Sequence, residues 1–493
     1  MLELVSMEAH SAIKPRVRFA PSPTGHLHIG SVRTMLFNIA FAKKHNGTVV
    51  LRSEDTDKER SKPEYEREIV EVLEWLGFSW DEGLTLEAGY IGSKGEYGPY
   101  RQSERTEIYK KYLEQLLASG HAYYCYCTKD ELSAQEQSLS SQGLPPKYGG
   151  HCRAVTSPPA GKEPQVIRFK TPGANVEHKD MIRGTVSFDA GLFGDFVIAK
   201  NLETPLYNFA AVVDDYEMKI THVIRGEDHI SNTPKQILMG QALGFTPPHF
   251  AHLPLILAAD RSKFSKRYME TSLLSYKEKG YLPEALVNFL ALLGWHPSGN
   301  EEIFSLGAFI EEFDMRRVQK AGAIFSEEKL QWINGEYLKR LSEDEFMKRL
   351  APILTARNIT ASDHFVKRVA MAERERAKTL GEVFDLGGFF FALPDYDAAL
   401  LLWKDDAKEK TRGALEAVKE ILSSVEAKDF SREKILSALE PLIAEHGKGS
   451  VLWPLRVSLS GQKASPDPLE IAEILGKKET LRRVELGAGK LGR

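Results

Sequence analysis

The sequence predicts a multidomain protein, α/β in its N-terminal part and all-α in its C-terminal part. Three observations carry this. Short apolar runs alternate with amphipathic helical segments from Arg16 to Leu257, the pattern of a sheet wound with helices. A turn-rich block holding all three cysteines interrupts that alternation. From about Tyr276 onward the helical period dominates, with no further strand-helix alternation. At 493 residues the chain exceeds a single compact core. We place two parts of the α/β domain at 14–119 and 206–258, with an inserted α+β subdomain at 120–205 between them. A loop and helical domain follow at 259–335, and helical domains at 336–493.

Arg16 to Ala20 is β-branched and aromatic and reads as a strand. Pro21, Pro23 and Gly25 then break regular structure, and Val32, Leu36, Ile39 and Ala40 recur at helical spacing before a stop at Gly47. Such a join exposes backbone N–H groups at the helix start, where a phosphate can sit. His28 and Gly30 lie there. The glycine permits close backbone approach, and the imidazole can donate to a phosphate oxygen. Thr48 to Arg52 is a compact strand running into Glu54, Asp55 and Asp57, at the carboxyl end where open parallel sheets bind ligands. Ser61 and Glu64, with Pro63 between, predict a capping box for a helix that buries Val72, Leu73 and Leu76 and ends at Gly77. Ile108, Tyr112, Leu113, Leu116 and Leu117 mark the inward face of another helix.

The interrupting block opens on C-Y-C, with Cys125 and Cys127, and closes on K-Y-G-G-H-C-R, which brings Tyr148, His151 and Cys152 together. An odd cysteine count argues against a disulfide framework, and thiols from two short loops suit tetrahedral zinc. Tyr148 and His151 both stand near enough to supply a fourth ligand. Between Gln165 and Lys200, V-I-R-F-K and D-F-V-I-A-K predict a small sheet. Ile220 to His229 then ends an apolar strand on Arg225, Glu227, Asp228 and His229. Asn232 to Gly244 reads as a helix, and L-P-L-I-L as a further strand. In D-R-S-K-F-S-K-R, Lys263 and Lys266 flank Ser265 on a cationic loop suited to phosphates.

A net charge of −4 and a pI near 6.4 exclude a globally basic nucleic-acid binder and leave room only for a local basic track. The longest apolar runs fall far short of a membrane span, and the N-terminus carries no secretory core, so a cytoplasmic location is expected.

P-S-P-T-G-H-L-H-I-G, then E-D-T-D, V-I-R-G-E-D-H and K-F-S-K-R occur in one order. Together they resemble the class I aminoacyl-tRNA synthetases, and within these the bacterial-type glutamyl enzymes, over essentially the whole chain. Pro21 to Ser31 stands where that family has its HIGH signature, with Ser31 in place of the final histidine. Lys263 to Arg267 matches the KMSKS loop, with Phe264 for methionine and Arg267 for serine.

The resemblance implies a Rossmann-type catalytic domain and a ligase that activates L-glutamate with ATP and Mg²⁺, then transfers it to tRNA. By carry-over, His28, Lys263 and Lys266 are catalytic, and Gly30, Ser31 and Ser265 join them in binding ATP. Arg18 and Arg225 hold the substrate side-chain carboxylate, Glu54 its ammonium, Tyr207 walls the pocket, and Ser22 gives a hydrogen bond. Some relatives bind Zn²⁺ through C-x-C and a later C-x-H. Here the last position is Ala154, and a Tyr-x-x-x-Cys arrangement would use Tyr148 with Cys125, Cys127 and Cys152. Arg376 stands where discriminating relatives read the last anticodon base. Expected partners are tRNA, L-glutamate and ATP, with no membrane, for a chain acting as a monomer. An enzyme charging tRNA(Gln) as well, or a glutaminyl enzyme, is the alternative. The strand-free C-terminal part favours the glutamyl branch, since glutaminyl enzymes usually carry β-barrels there.

Overall fold

The computed structural model describes residues 14–144, 147–262, 264 and 272–492. The chain divides into two compact units. One runs to Lys277 and adds Pro283–Leu330; the other comprises Glu278–Leu282 and Gln331–Arg493.

The first unit is organised on an eight-stranded sheet. Its centre is parallel: β1 (Arg16–Phe19) lies between β2 (Thr48–Leu51) and β11 (His222–Gly226), and β12 (His249–Leu253) lies beyond β11. Helices cover these central strands, so Val17, Val49, Val50, Val223 and Ile224 are fully buried, and the charged Arg18 and Arg225 among them are buried as well. The hairpin β3 (Glu82–Glu87) and β4 (Tyr90–Lys94) closes one edge. After β1 the chain winds one way through helix α1 (Ile29–Lys44) into β2, then returns to β11 on the other side of β1. The order therefore reverses between β1 and β11, and in open α/β sheets a crevice for ligands forms at that switch point. Gly47 makes the β1–β2 pairing possible, since a Cβ there would stand 2.1 Å from the Pro15 carbonyl oxygen.

Residues 120–205 form one small sheet and add a hairpin to the main one. β5 (Ala122–Cys125), β6 (Val166–Phe169), β9 (Val197–Asn201) and β10 (Thr204–Pro205) make a four-stranded antiparallel sheet. The hairpin β7 (Asn175–Asp180) and β8 (Gly184–Asp189) instead joins the main sheet, where Asp180 registers with Phe250 of β12.

Three local expectations are corrected. The Ser61–Glu64 capping box does not form: Pro63 takes the first helical position, so Lys62 becomes the N-cap of the helix Pro63–Trp75 and makes no side-chain cap. Leu253 to Leu257 is not one strand, because Pro254 ends β12 and β13 (Ile256–Leu257) pairs separately with β14 (Ala323–Ile324). In the helix Thr106–Ala118, Tyr109 is buried while Ile108 is half-buried, a shift of the inward face explained by the Tyr109 hydroxyl bonding to buried Asp214.

Among the described residues, every regular element after Ile324 is helical. The second unit packs the helices Lys408–Ser424, Arg432–His446, Lys448–Ser460 and Pro468–Leu491 through Leu415, Val418, Leu439, Leu455 and Val484. No helix among the described residues is long and apolar enough to cross a membrane.

Candidate active site

The switch point holds a cavity of about 320 Å³. Arg18 reaches it from β1, Arg225 from β11, Tyr207 from the first turn of helix α2 (Tyr207–Glu217), and Glu54 from just beyond β2. Ser22, His28, Gly30 and Ser31 line it from the loop after β1 and the start of α1. Asp228, His229 and Phe264 line it too.

His28 is the N-cap of α1, and its Nδ1 accepts from Ser31 N at 3.1 Å. That bond puts the ring proton on Nε2, which has Ser31 Oγ at 3.0 Å. Gly30 allows the ring to fold close, since a Cβ there would lie 3.1 Å from Nδ1. Asn38 ties α1 to the sheet by donating to the Ile224 carbonyl at 3.1 Å.

Both arginines are buried. Arg18 Nε donates to Asp215 Oδ1 at 3.2 Å. Arg225 donates from Nη2 to Thr233 Oγ1 at 2.7 Å and from Nε to His252 Nε2 at 3.3 Å. Its Nη1 is buried and has no hydrogen-bond partner among the described residues. Burial holds the Arg225 guanidinium below its ordinary pKa, and Arg18 pushes the same way while Tyr207 and Asp215 oppose. Two buried cations and an unmet N–H form a socket for an anion.

Glu54 Oε1 accepts from Arg52 Nη2 at 2.9 Å. Burial raises its carboxyl pKa against the opposing pull of Arg52 and Arg18. Tyr207 is pushed up to about 12 by burial and then by Glu54. Its hydroxyl lies 3.2 Å from His229 Nδ1, and His229 is pushed down to about 4 by burial, with Arg225 and Arg18 adding to it against Asp228.

Lys263, Ser265 and Lys266 lie outside the described residues. Phe264, between them in sequence, lines the cavity of His28 and Arg225, and its backbone N donates to the Ile256 carbonyl at 3.2 Å.

Cys125, Cys127 and Cys152 meet with their sulfurs within 4.8 Å of one another and form no disulfide. Cys127 Sγ lies 3.6 Å from Cys152 Sγ, and Tyr148 Oη lies 3.5 Å from Cys125 Sγ and 3.6 Å from Cys127 Sγ. With Zn–S near 2.3 Å, the edges of a tetrahedral site are about 3.5–3.8 Å, so these residues fit the ion. His151 is exposed beside Gln135, its Nδ1 3.2 Å from that amide nitrogen.

Arg376 is far from a free surface cation. It donates to the buried Glu373 carboxylate at 2.6 Å and to the Ala464 carbonyl at 3.0 Å.

Sequence reasoning missed the polar framework behind the pocket. Arg52 also donates to Asp215 at 2.9 Å, and Asp214 accepts from Arg105 at 2.7 Å and from Gln102 at 2.8 Å. The adjacent acids Asp214 and Asp215, directly after the apolar run Phe209–Val213, were the signal that could have exposed it.

A helix start that can take a phosphate, facing a pair of buried arginines across a switch point, has the geometry an amino-acid-activating enzyme needs. Residues 14–332 match the family described as tRNA synthetases class I (E and Q), catalytic domain, and residues 345–488 match an anticodon binding domain. The chain belongs to this class I tRNA synthetase family. It is 45% identical over 488 residues to a glutamate–tRNA ligase of Carboxydothermus hydrogenoformans, covering 95% of this chain and 98% of that relative. A glutamate–tRNA ligase of Moorella thermoacetica is 43% identical, covering 96% of this chain and 98% of its own length. The crystal structure of a glutamate tRNA ligase from Elizabethkingia meningosepticum in complex with its amino acid matches with TM-score 0.85 at 36% identity. That match covers 97% of this chain and all of the other.

Proposed function

We propose that this chain attaches L-glutamate to the 3′ end of tRNA(Glu) by the ATP-dependent two-step reaction of its family. The observation that carries the reading is a single cleft holding two buried arginines, a buried acid and the His28 helix start. The substrate side-chain carboxylate meets Arg18 and the unmet Nη1 of Arg225, its ammonium meets Glu54, and Tyr207 and Ser22 complete the pocket. A glutamine side chain would turn an NH₂ toward those guanidiniums, and a site built on buried polar groups rejects such an analogue by roughly 10⁴–10⁵.

In the first step the α-carboxylate attacks the α-phosphorus of ATP, forming glutamyl-adenylate and releasing pyrophosphate. ATP enters as its magnesium complex, the metal neutralising part of the triphosphate charge. Gly30 and Ser31 at the helix start cradle the phosphates, and His28 donates from Nε2 as negative charge moves onto the leaving group. Lys263, Ser265 and Lys266 complete the clamp; the place of Phe264 in the cavity supports this. In the second step the terminal ribose hydroxyl of tRNA attacks the activated carbonyl and AMP leaves. A neighbouring cavity of about 720 Å³, sharing Ser22, Glu54, Tyr207 and His229, admits that end.

Cys125, Cys127, Cys152 and Tyr148 would hold a structural zinc in the insertion, which carries the acceptor end of tRNA. The C-terminal helices from residue 336 bind the anticodon, with Arg376 reading its last base. The enzyme works in the cytoplasm.

Aminoacylation of separated glutamate and glutamine tRNAs tests the reading. Arg225→Leu is expected to lower glutamate charging more than about a hundredfold with the melting temperature kept, because it deletes a buried charged partner of the substrate. Activity within a few-fold of the parent overturns the assignment. Charging of tRNA(Gln) with glutamate by the parent would mark it as non-discriminating.

A further inference from the structure

Taking the function proposed above as given, we propose that His252, held by Asp180, is a positioning residue that presents Arg225 to the substrate carboxylate and so sets the affinity for glutamate. Neither residue has a place in the chemistry described so far. Both are buried, His252 at the end of β12 and Asp180 at the end of β7.

The hydrogen-bond roles are forced. An arginine Nε can only donate, so His252 Nε2, 3.3 Å from Arg225 Nε, must be the unprotonated ring nitrogen. The ring proton is then on Nδ1, which donates to Asp180 Oδ2 at 2.6 Å. Asp180 is itself immobilised, since its Oδ1 accepts from the backbone of Ile182 at 2.9 Å and of Arg183 at 2.8 Å. Thr233 Oγ1 takes Arg225 Nη2 at 2.7 Å. Nε and Nη2 are thus consumed by the protein and fix the guanidinium plane, and Nη1, which has no partner among the described residues, is the nitrogen the proposal gives to the substrate.

His178, Asp180 and His252 also cluster as a metal site would, with donor atoms within 4.8 Å of one another. Their environment favours the relay instead. His252 offers its Nε2 lone pair to Arg225 Nε and to the Thr233 hydroxyl, which lies 3.0 Å away and itself accepts from Arg225 Nη2, and its proton goes to Asp180; a cation there would face the Arg225 guanidinium. The relay also explains why the β7–β8 hairpin joins the main sheet: its register with β12 delivers the Asp180 carboxylate to His252.

Steady-state charging with glutamate and ATP varied separately tests this. His252→Phe keeps the ring volume and loses the acceptor; it should raise KM for glutamate about 10–100-fold and leave KM for ATP unchanged. His252→Gln, whose amide oxygen can accept from Nε, should recover most of that loss. Asp180→Asn should raise the glutamate KM alone and add nothing in the His252→Phe background. A folded His252→Phe enzyme with the parental glutamate KM overturns the proposal, as does a parallel rise in both KM values. If His252→Phe does not fold, Asp180→Asn decides on the same criteria. A parent enzyme that fails to charge tRNA with glutamate overturns the functional reading and this proposal with it, whereas normal parental charging with unaffected variants overturns this proposal alone.

Discussion

Arg52 donates from Nη2 to Glu54 at 2.9 Å and from Nη1 to Asp215 at 2.9 Å, and Asp215 in turn accepts from Arg18 at 3.2 Å. The acid proposed for the substrate ammonium and the arginine proposed for its carboxylate therefore hang from one guanidinium with no exposed surface. Burial alone would disfavour the Arg52 cation, yet Asp215, Asp214 and Glu54 outweigh it and hold the group charged.

Removing that hub should be costly. Arg52→Met leaves Glu54, Asp214 and Asp215 without their shared cation, and breaking a buried network from one side costs about 3–5 kcal/mol. Urea unfolding should show a loss of that size. A change under about 1 kcal/mol would mean that the acids are neutralised by other means.

The cysteine site makes a separate prediction. Metal analysis of the purified protein should find about one zinc per chain, and Cys127→Ala should abolish it. Tyr148→Phe should weaken the zinc without removing the three thiols, and read out as faster loss to a chelator. A zinc-free protein would remove the site and leave the glutamate chemistry standing.

The strands and first helix were legible because their signals are local. Val17, Val49, Val50, Val223 and Ile224 sit in short apolar runs, and two prolines and a glycine mark the loop before His28. The pocket residues came through family resemblance, since nothing local distinguishes Arg18 from Arg16. What stayed hidden is long-range. Asp180 meets His252 across 72 positions and Arg52 meets Asp215 across 163, and each looks like an ordinary surface charge until the sheet order is known. The capping box failed for the opposite reason: the local pattern was present, but Pro63 moved the helix start past it.

His229 gives the site a pH signature. Its pKa falls from the usual 6.5 to about 4, first through burial and then through Arg225 and Arg18. The unfolded chain thus binds a proton between these values that the folded chain refuses. Its contribution to stability is full above about pH 6.5 and is lost as pH falls toward 4. Melting temperature followed over that range should drop less steeply in His229→Gln than in the parent. Identical slopes would show that His229 titrates normally. Because the ring stays neutral at assay pH, kcat/KM for glutamate should show no limb from this residue between pH 6 and 8.

Arg376 is asked to do two things, and they can be separated. It neutralises Glu373, whose carboxyl burial pushes upward and Arg376 pulls back. Arg376→Ala should therefore destabilise the C-terminal unit by about 1–3 kcal/mol, less than a fully buried pair because the arginine is partly exposed. Adding Glu373→Gln removes the stranded acid and should restore most of that stability. A loss of tRNA(Glu) charging that persists in the double variant, while KM for glutamate and ATP stays parental, assigns Arg376 to the anticodon. Full recovery of charging in the double variant would make its role wholly structural, because then the only thing missing had been a partner for Glu373.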